Sequence, residues 1–156
     1  MTAIFSPDRR FRYALWRRWK FLDHLHQVMF VCLNPSTADE TNDDPTIRRC
    51  IKFAISWGFG SMCMTNLFAF RATDPAMMMS AIDPVGPDND WHLQSCAKES
   101  SLIVAAWGND GSYRRRDEQV RALLPALQCF GKNKTGQPKH PLYLRGDSYP
   151  SAFLVE

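Results

Sequence analysis

The sequence predicts a single α/β domain built as three layers. A four-stranded parallel sheet carries helices on both faces, with an N-terminal edge strand or hairpin beside it. Three observations point there. Apolar runs at 28–33 (VMFVCL), 62–68 (MCMTNLF) and 102–107 (LIVAAW) read as strands covered on both faces. Capped segments with helical periodicity separate them, the alternation that gives parallel strands joined by right-handed crossovers. The length of 156 residues suits one core.

Taken in order, Phe11, Tyr13 and Leu15 alternate with charged or small residues, as an edge strand does, in a hairpin closed near residues 18–20. The strand at 28–33 ends at Asn34-Pro35, because the residue before a proline is pushed away from α geometry. Asp44-Pro45 is an N-cap followed by a first-turn proline. The helix it opens shows Ile47, Cys50, Ile51, Ala54 and Ile55 on one face and stops at Gly58. After the strand at 62–68, Thr73-Asp74-Pro75 caps a short Met-rich helix at 76–82, whose methionines suit irregular core filling. Residues 83–88 are a loop, and 89–100 a helix packing Trp91 and Cys96 inward. The strand at 102–107 breaks at Gly108-Asn109-Asp110-Gly111. Val120, Leu123, Leu124 and Leu127 mark the next helix, which Pro125 kinks or ends. A short fourth strand at 128–130 follows, and then a turn leading into an extended segment at 132–144.

Hydrophobic and charged fractions of 45% and 22% are ordinary globular values. No run approaches the ~18 apolar residues of a membrane span, and no apolar stretch follows the N-terminal charges. The expectation is a cytoplasmic chain with no membrane partner. Five cysteines without a C-x-x-C pair suggest buried, reduced thiols rather than zinc or an iron–sulfur cluster. No metal or cofactor is expected. The net charge of +3 is small, but residues 1–20 hold six basic side chains against one acid. Arg9 and Arg10, with Arg114, Arg115 and Arg116, are candidates for nucleic-acid backbone contacts, or else a solvated basic face.

In open parallel sheets, ligands bind beyond the carboxyl ends of the strands, near the point where strand order reverses. This rule gathers Asn34-Pro35-Ser36, Asn66, Phe68, Trp107-Gly108-Asn109 and His140 into one region. The Asn34 amide suits orienting a water or reading a base edge, or equally stabilising its own turn. Asn66, late in an apolar strand, must spend its amide on something. Phe68 or Phe70 offers a stacking platform, with core packing as the alternative. Arg71 suits an anion, or a nearby aspartate. Asp39 is a candidate general base, whereas Asp44 is spent as a helix cap. His140 lies in a loop, placed to donate to a developing anion.

The runs LNPSTAD (33–39), DPTIRRC (44–50), NLFAFRATDP (66–75), VGPDND (85–90), AAWGNDG (105–111) and GQPKHPLYL (136–144) resemble a bacterial and phage family, the domain of unknown function numbered 1643. More distantly, the order of motifs is similar to the uracil-DNA glycosylase superfamily, mismatch-specific branch. That resemblance implies the sheet described above. It also implies that Asn34 positions the attacking water, Asn66 reads the pyrimidine edge, and His140 stabilises the departing base. Where the superfamily continues with Ser-Pro or Ser-Gly, this chain has Leu142-Tyr143-Leu144. The functional expectation is action on a nucleobase or N-glycosidic bond, in DNA or a nucleotide. Two alternatives stand beside it: a non-catalytic nucleotide or single-strand binding module, and a hydrolase or transferase for a small anionic metabolite anchored by Arg71.

Overall fold

A computed structural model describes residues 3–21 and 26–154; His24 lies outside them. Seven strands form one mixed sheet: β1 (Ala3–Phe5), β2 (Arg12–Arg18), β3 (Gln27–Cys32), β4 (Ser61–Asn66), β5 (Leu102–Ala105), β6 (Gln128–Cys129) and β7 (Ser151–Ala152), in the spatial order β1-β2-β4-β3-β5-β6-β7. The middle four, β4, β3, β5 and β6, run parallel, while β1 with β2 and the outermost β7 are antiparallel to their neighbours. The four-stranded sheet expected from the sequence is therefore corrected to a larger, mixed one. Two-residue β7 has no periodicity to detect. The hairpin exists, but its turn spans residues 6–11, closed by Ser6 N–H donating to Phe11 O at 2.9 Å, and not residues 18–20.

The helices are α1 (Pro45–Ser56), α2 (Pro75–Met79), α3 (Asn89–Lys98) and α4 (Arg116–Leu123); none of the described helices is long and apolar enough to cross a membrane. They cover both faces of the sheet. On one face α1 packs Ile47, Cys50, Phe53 and Ala54 against Val28, Phe30 and Met62. On the other, Leu93 and Cys96 of α3 and Val120 of α4 close over Met29, Val31 and Cys63. Each buried side chain of that size contributes about 1.5–3 kcal/mol, so the two clusters hold the layers together. Periodicity misassigned a few positions. Ile55 is 52% and Trp91 67% exposed, with Phe53 and Leu93 turned inward instead. Of the methionine run only Met78 is fully buried. The helix before Pro125 ends at Leu123, and the supposed extended tail contains a 3-10 turn at Pro141–Tyr143.

Local chemistry sets the ends of α1. Asp44 Oδ1 accepts from Ile47 N–H at 2.9 Å, and Gly58 takes the left-handed conformation (φ 87°) that ends the helix. All five cysteines are buried and free. Burial raises the Cys50 and Cys63 thiols well above their ordinary range, which keeps them inert.

Past β5 the chain folds tightly on itself. Gly111 lies against the Trp107 ring, and a Cβ there would sit 2.0 Å from that side chain. Gly111→Ala should therefore displace the indole and cost about 1–3 kcal/mol by overpacking. Chemical denaturation with tryptophan emission checks this, and unchanged stability and emission would refute the contact.

Candidate functional site

The ladder between strands continues beyond their assigned ends. Leu67 N–H donates to Cys32 O at 2.9 Å, Phe68 N–H to Leu33 O at 3.0 Å, and Ala106 N–H to Val31 O at 2.8 Å. Three chain ends are thus held in register where strand order reverses, beside β3. A cavity of about 310 Å³ opens there. Asn34, Ser36, Asn66, Trp107, Gly108, Asn109 and His140 all line it, as do Arg12, Asp44 and Tyr143.

Asn34 is fixed by its own turn. Its Nδ2 donates to Ala72 O at 2.8 Å and Pro35 O at 3.1 Å. Two carbonyls can be met only by the NH₂ end, so the carbonyl Oδ1 is the end left over; it has no partner among the described residues. Pro35 O also accepts from Ala72 N–H at 2.9 Å, which ties the two loops together. Asn66 is 2% exposed, and neither end of its side-chain amide has a partner among the described residues; its Nδ2 is fully buried. Leaving such a group unmet costs about 1–3 kcal/mol.

His140 reaches the cavity from the loop after β6. Gly108 N–H donates to Pro138 O at 3.0 Å, and Lys139 N–H to Gly131 O at 3.0 Å. Arg49 of α1 donates to Leu144 O. These bonds pin the loop across the end of the sheet. His140 Nδ1 accepts from Leu142 N–H at 3.2 Å, capping the 3-10 turn. A ring nitrogen that accepts carries no proton, so in the neutral ring the proton is on Nε2. Burial pushes the His140 pKa down, and the Asp44 charge partly offsets this. Burial therefore favours the neutral imidazole, which keeps one N–H to donate. A second recess of about 300 Å³ shares Gly108, Asn109, His140 and Tyr143 with the cavity, making His140 part of both walls.

Three residues at the cavity lie beyond the sequence reading: Asp44, Arg12 and Tyr143. Asp44 is the expected cap, yet it also lines the cavity, with Oδ2 unpartnered among the described residues. Arg12, on β2, is only 2% exposed. The alternation of β2 is the available signal, but it gives no hint that the side chain reaches the cavity. Burial lowers its pKa to about 10, against the favourable charge of Asp44.

Several expected site residues lie elsewhere. Asp39 does not line the cavity; Thr41 and Asn42 donate to its carboxylate in a local turn, which holds its pKa down at about 2. Phe68 is fully buried in the core near Tyr113, and Phe70 packs edge-on against Phe11. The exposed aromatic ring at the cavity is Tyr143 instead, 86% exposed and 5.7 Å from the His140 ring. Arg71 donates to Arg9 O and lies over the Phe5 ring. Trp107 is buried, its Nε1–H donating to Gln137 Oε1 at 2.8 Å. Asn109 Oδ1 accepts from Asn133 and Thr135.

The basic clusters are largely spent within the fold. Arg9 makes two bonds to Glu40, at 2.7 and 3.0 Å; Arg115 bonds Glu118 at 2.7 Å; and Arg10 lies 3.6 Å from Asp8. Arg116 is corrected from a surface residue to a core one. At 2% exposure it bonds Leu67 O, Gln119 and Asp90. Arg114 lies beside the Tyr113 ring. Among the described residues no group of three or more His, Cys, Asp or Glu is placed to hold a metal.

Asparagine caps helices about as well as aspartate, so Asp44→Asn should change stability by less than about 1 kcal/mol. Because the Asp44 charge raises the His140 pKa, its removal should lower that pKa further. Proton–carbon NMR titration of the imidazole reads this directly. An unchanged or raised pKa would show that the two groups do not interact.

No curated protein and no solved structure matches the chain. A family model does, over residues 12–142, a span that includes every cavity residue named above except Tyr143. The chain therefore belongs to the family described as protein of unknown function (DUF1643).

Proposed function

We propose that the cavity binds a nucleobase and hydrolyses its N-glycosidic bond. One observation carries the reading: Asn34, Asn66 and His140, from three separate strand ends, line a single cavity. Their chemistry is complementary. The unspent Asn66 amide, able both to donate and to accept, suits the edge of a pyrimidine. Asn34, locked by two backbone carbonyls, offers Oδ1 to a water. His140 offers Nε2–H to an oxygen of the base.

Hydrolysis then runs as follows. The bond between sugar C1′ and the base nitrogen breaks, and its electron pair leaves with the base. Water held on Asn34 adds to C1′ and loses a proton to Asp44, the buried carboxylate of the cavity. His140 donates a hydrogen bond to the anionic base as it departs; a preorganised donor of this kind is worth about 3–4 kcal/mol. Tyr143 covers the base at the rim. The sugar and what is attached to it occupy the adjoining recess. The likeness to the uracil-DNA glycosylase superfamily rests on the order of the motifs at Asn34-Pro35, Asn66, Trp107-Gly108 and His140-Pro141.

The rival reading is binding without turnover. It draws on the structural use of Asn34, whose Nδ2 bonds serve the fold whether or not water is activated.

Purified protein should release free base from uracil-containing or modified nucleotides or single strands. His140→Ala should slow release about 10²–10³-fold. Asn34→Ala should abolish it, at a stability cost of about 1–2 kcal/mol for the lost bonds. Binding that survives Asn34→Ala, with no release from any substrate, would replace hydrolysis by capture.

A further inference from the structure

Two arginines in this fold are equally buried, and they are treated differently. Arg116, 2% exposed, spends Nε on Leu67 O, Nη1 on Gln119 and Nη2 on Asp90 at 2.6 Å. The guanidinium of Arg12, also 2% exposed, makes one hydrogen bond, from Nη1 to Ala38 O at 3.0 Å. Its Nε is buried without a partner, and Nη2 has none among the described residues. No described carboxylate lies within the 4.0 Å that would make an ion pair with it. A guanidinium has five donors and cannot shed its charge in a protein. Buried and so poorly met, Arg12 would be costly to keep if nothing ever completed it.

Arg12 also lines the cavity, as does Asn66, whose amide nitrogen is buried without a partner. The charges acting on it are Asp44, with opposite sign, and Arg71 and Arg17, with the same sign. The oxygen of Asp44 that is bonded is committed to Ile47 N–H. The unmet donors of Arg12 thus leave room for an acceptor that the fold does not supply. Outside the cavity the picture reverses, since Arg9, Arg10 and Arg115 already face carboxylates.

We propose that Arg12 is an oxyanion receptor in the cavity wall, and that the ligand is a small anionic nucleobase derivative. The oxyanion belongs either to a carboxylate on the ring or to the phosphate of a free nucleotide. The nucleobase part rests on the reading above; the receptor rests on Arg12 alone.

Calorimetric titration of the full chain with uracil, 5-carboxyuracil, uridine 5′-monophosphate and inorganic phosphate tests both parts. At least one anionic uracil derivative should bind about tenfold or more tighter than uracil. The winner identifies the source of the oxyanion. Arg12→Gln should erase the advantage and Arg12→Lys keep part of it, with circular dichroism confirming the fold. If neither variant folds, the comparison of charged with neutral ligands on the unmodified chain still decides. Uracil binding with no gain from charge would overturn the receptor and leave the nucleobase reading standing. Inorganic phosphate binding as tightly as the nucleotide, and lost in Arg12→Gln, would uphold the receptor and remove the nucleobase. No binding by any of the four would overturn both.

Discussion

The site depends on a backbone constraint: the hydrogen-bond ladder of β3 with β4 and β5 does not stop where the strands do. Leu67 and Phe68 donate to Cys32 and Leu33, and Ala106 donates to Val31. Each bond contributes only about 0.5–1.5 kcal/mol net. Together they fix the directions in which three loops leave the sheet. The Asn34 side chain then bonds Ala72 and closes one loop over the other. Without this stitching, Asn34, Asn66 and the Trp107-Gly108 turn would have no common geometry. The cavity is what remains between ends that are held together at their base and diverge above it.

Most of the polar side chains at that cavity serve the fold and the site at once. Asp44 caps α1 through one oxygen and leaves the other unpartnered. His140 caps a 3-10 turn through Nδ1, which assigns the proton to Nε2. Asn34 holds two loops through its amide nitrogen and keeps its oxygen. In each case the structural bond fixes the rotamer and leaves one defined atom over. This is how a small domain can preorganise a site without a separate supporting layer. Asn66 and Arg12 differ, because the fold leaves most of their hydrogen-bonding capacity unused, and that is where a ligand has most to satisfy.

The parts legible in the sequence are those governed by local chemistry and by the strand-end rule. The apolar runs locate β3, β4 and β5, and the Asp-Pro pairs cap α1 and α2. Strand ends alone bring Asn34, Asn66, Gly108 and His140 to one region. What escaped depends on long-range packing. Arg12 belongs to an antiparallel strand that the strand-end rule does not address. Asp44 reads in the sequence as a helix cap alone, though a carboxylate has two oxygens. Phe68 continues β4 into the core, so its ring serves packing, while Tyr143 reaches the rim only because the 3-10 turn lifts it there. The basic run at 114–116 looks uniform, yet the helix start at Arg116 points one of its three side chains inward. Edge strand β7 pairs through two residues only, too few for any pattern.

The central claim is that Asn34, Asn66 and His140 act on one ligand. The most direct measurement is NMR titration of isotope-labelled protein with a free nucleobase or nucleotide, following the two side-chain amides and the imidazole together. The account predicts that all three signals shift along a single saturation curve. Saturable binding that moves neither amide and leaves the His140 ring unperturbed would contradict it.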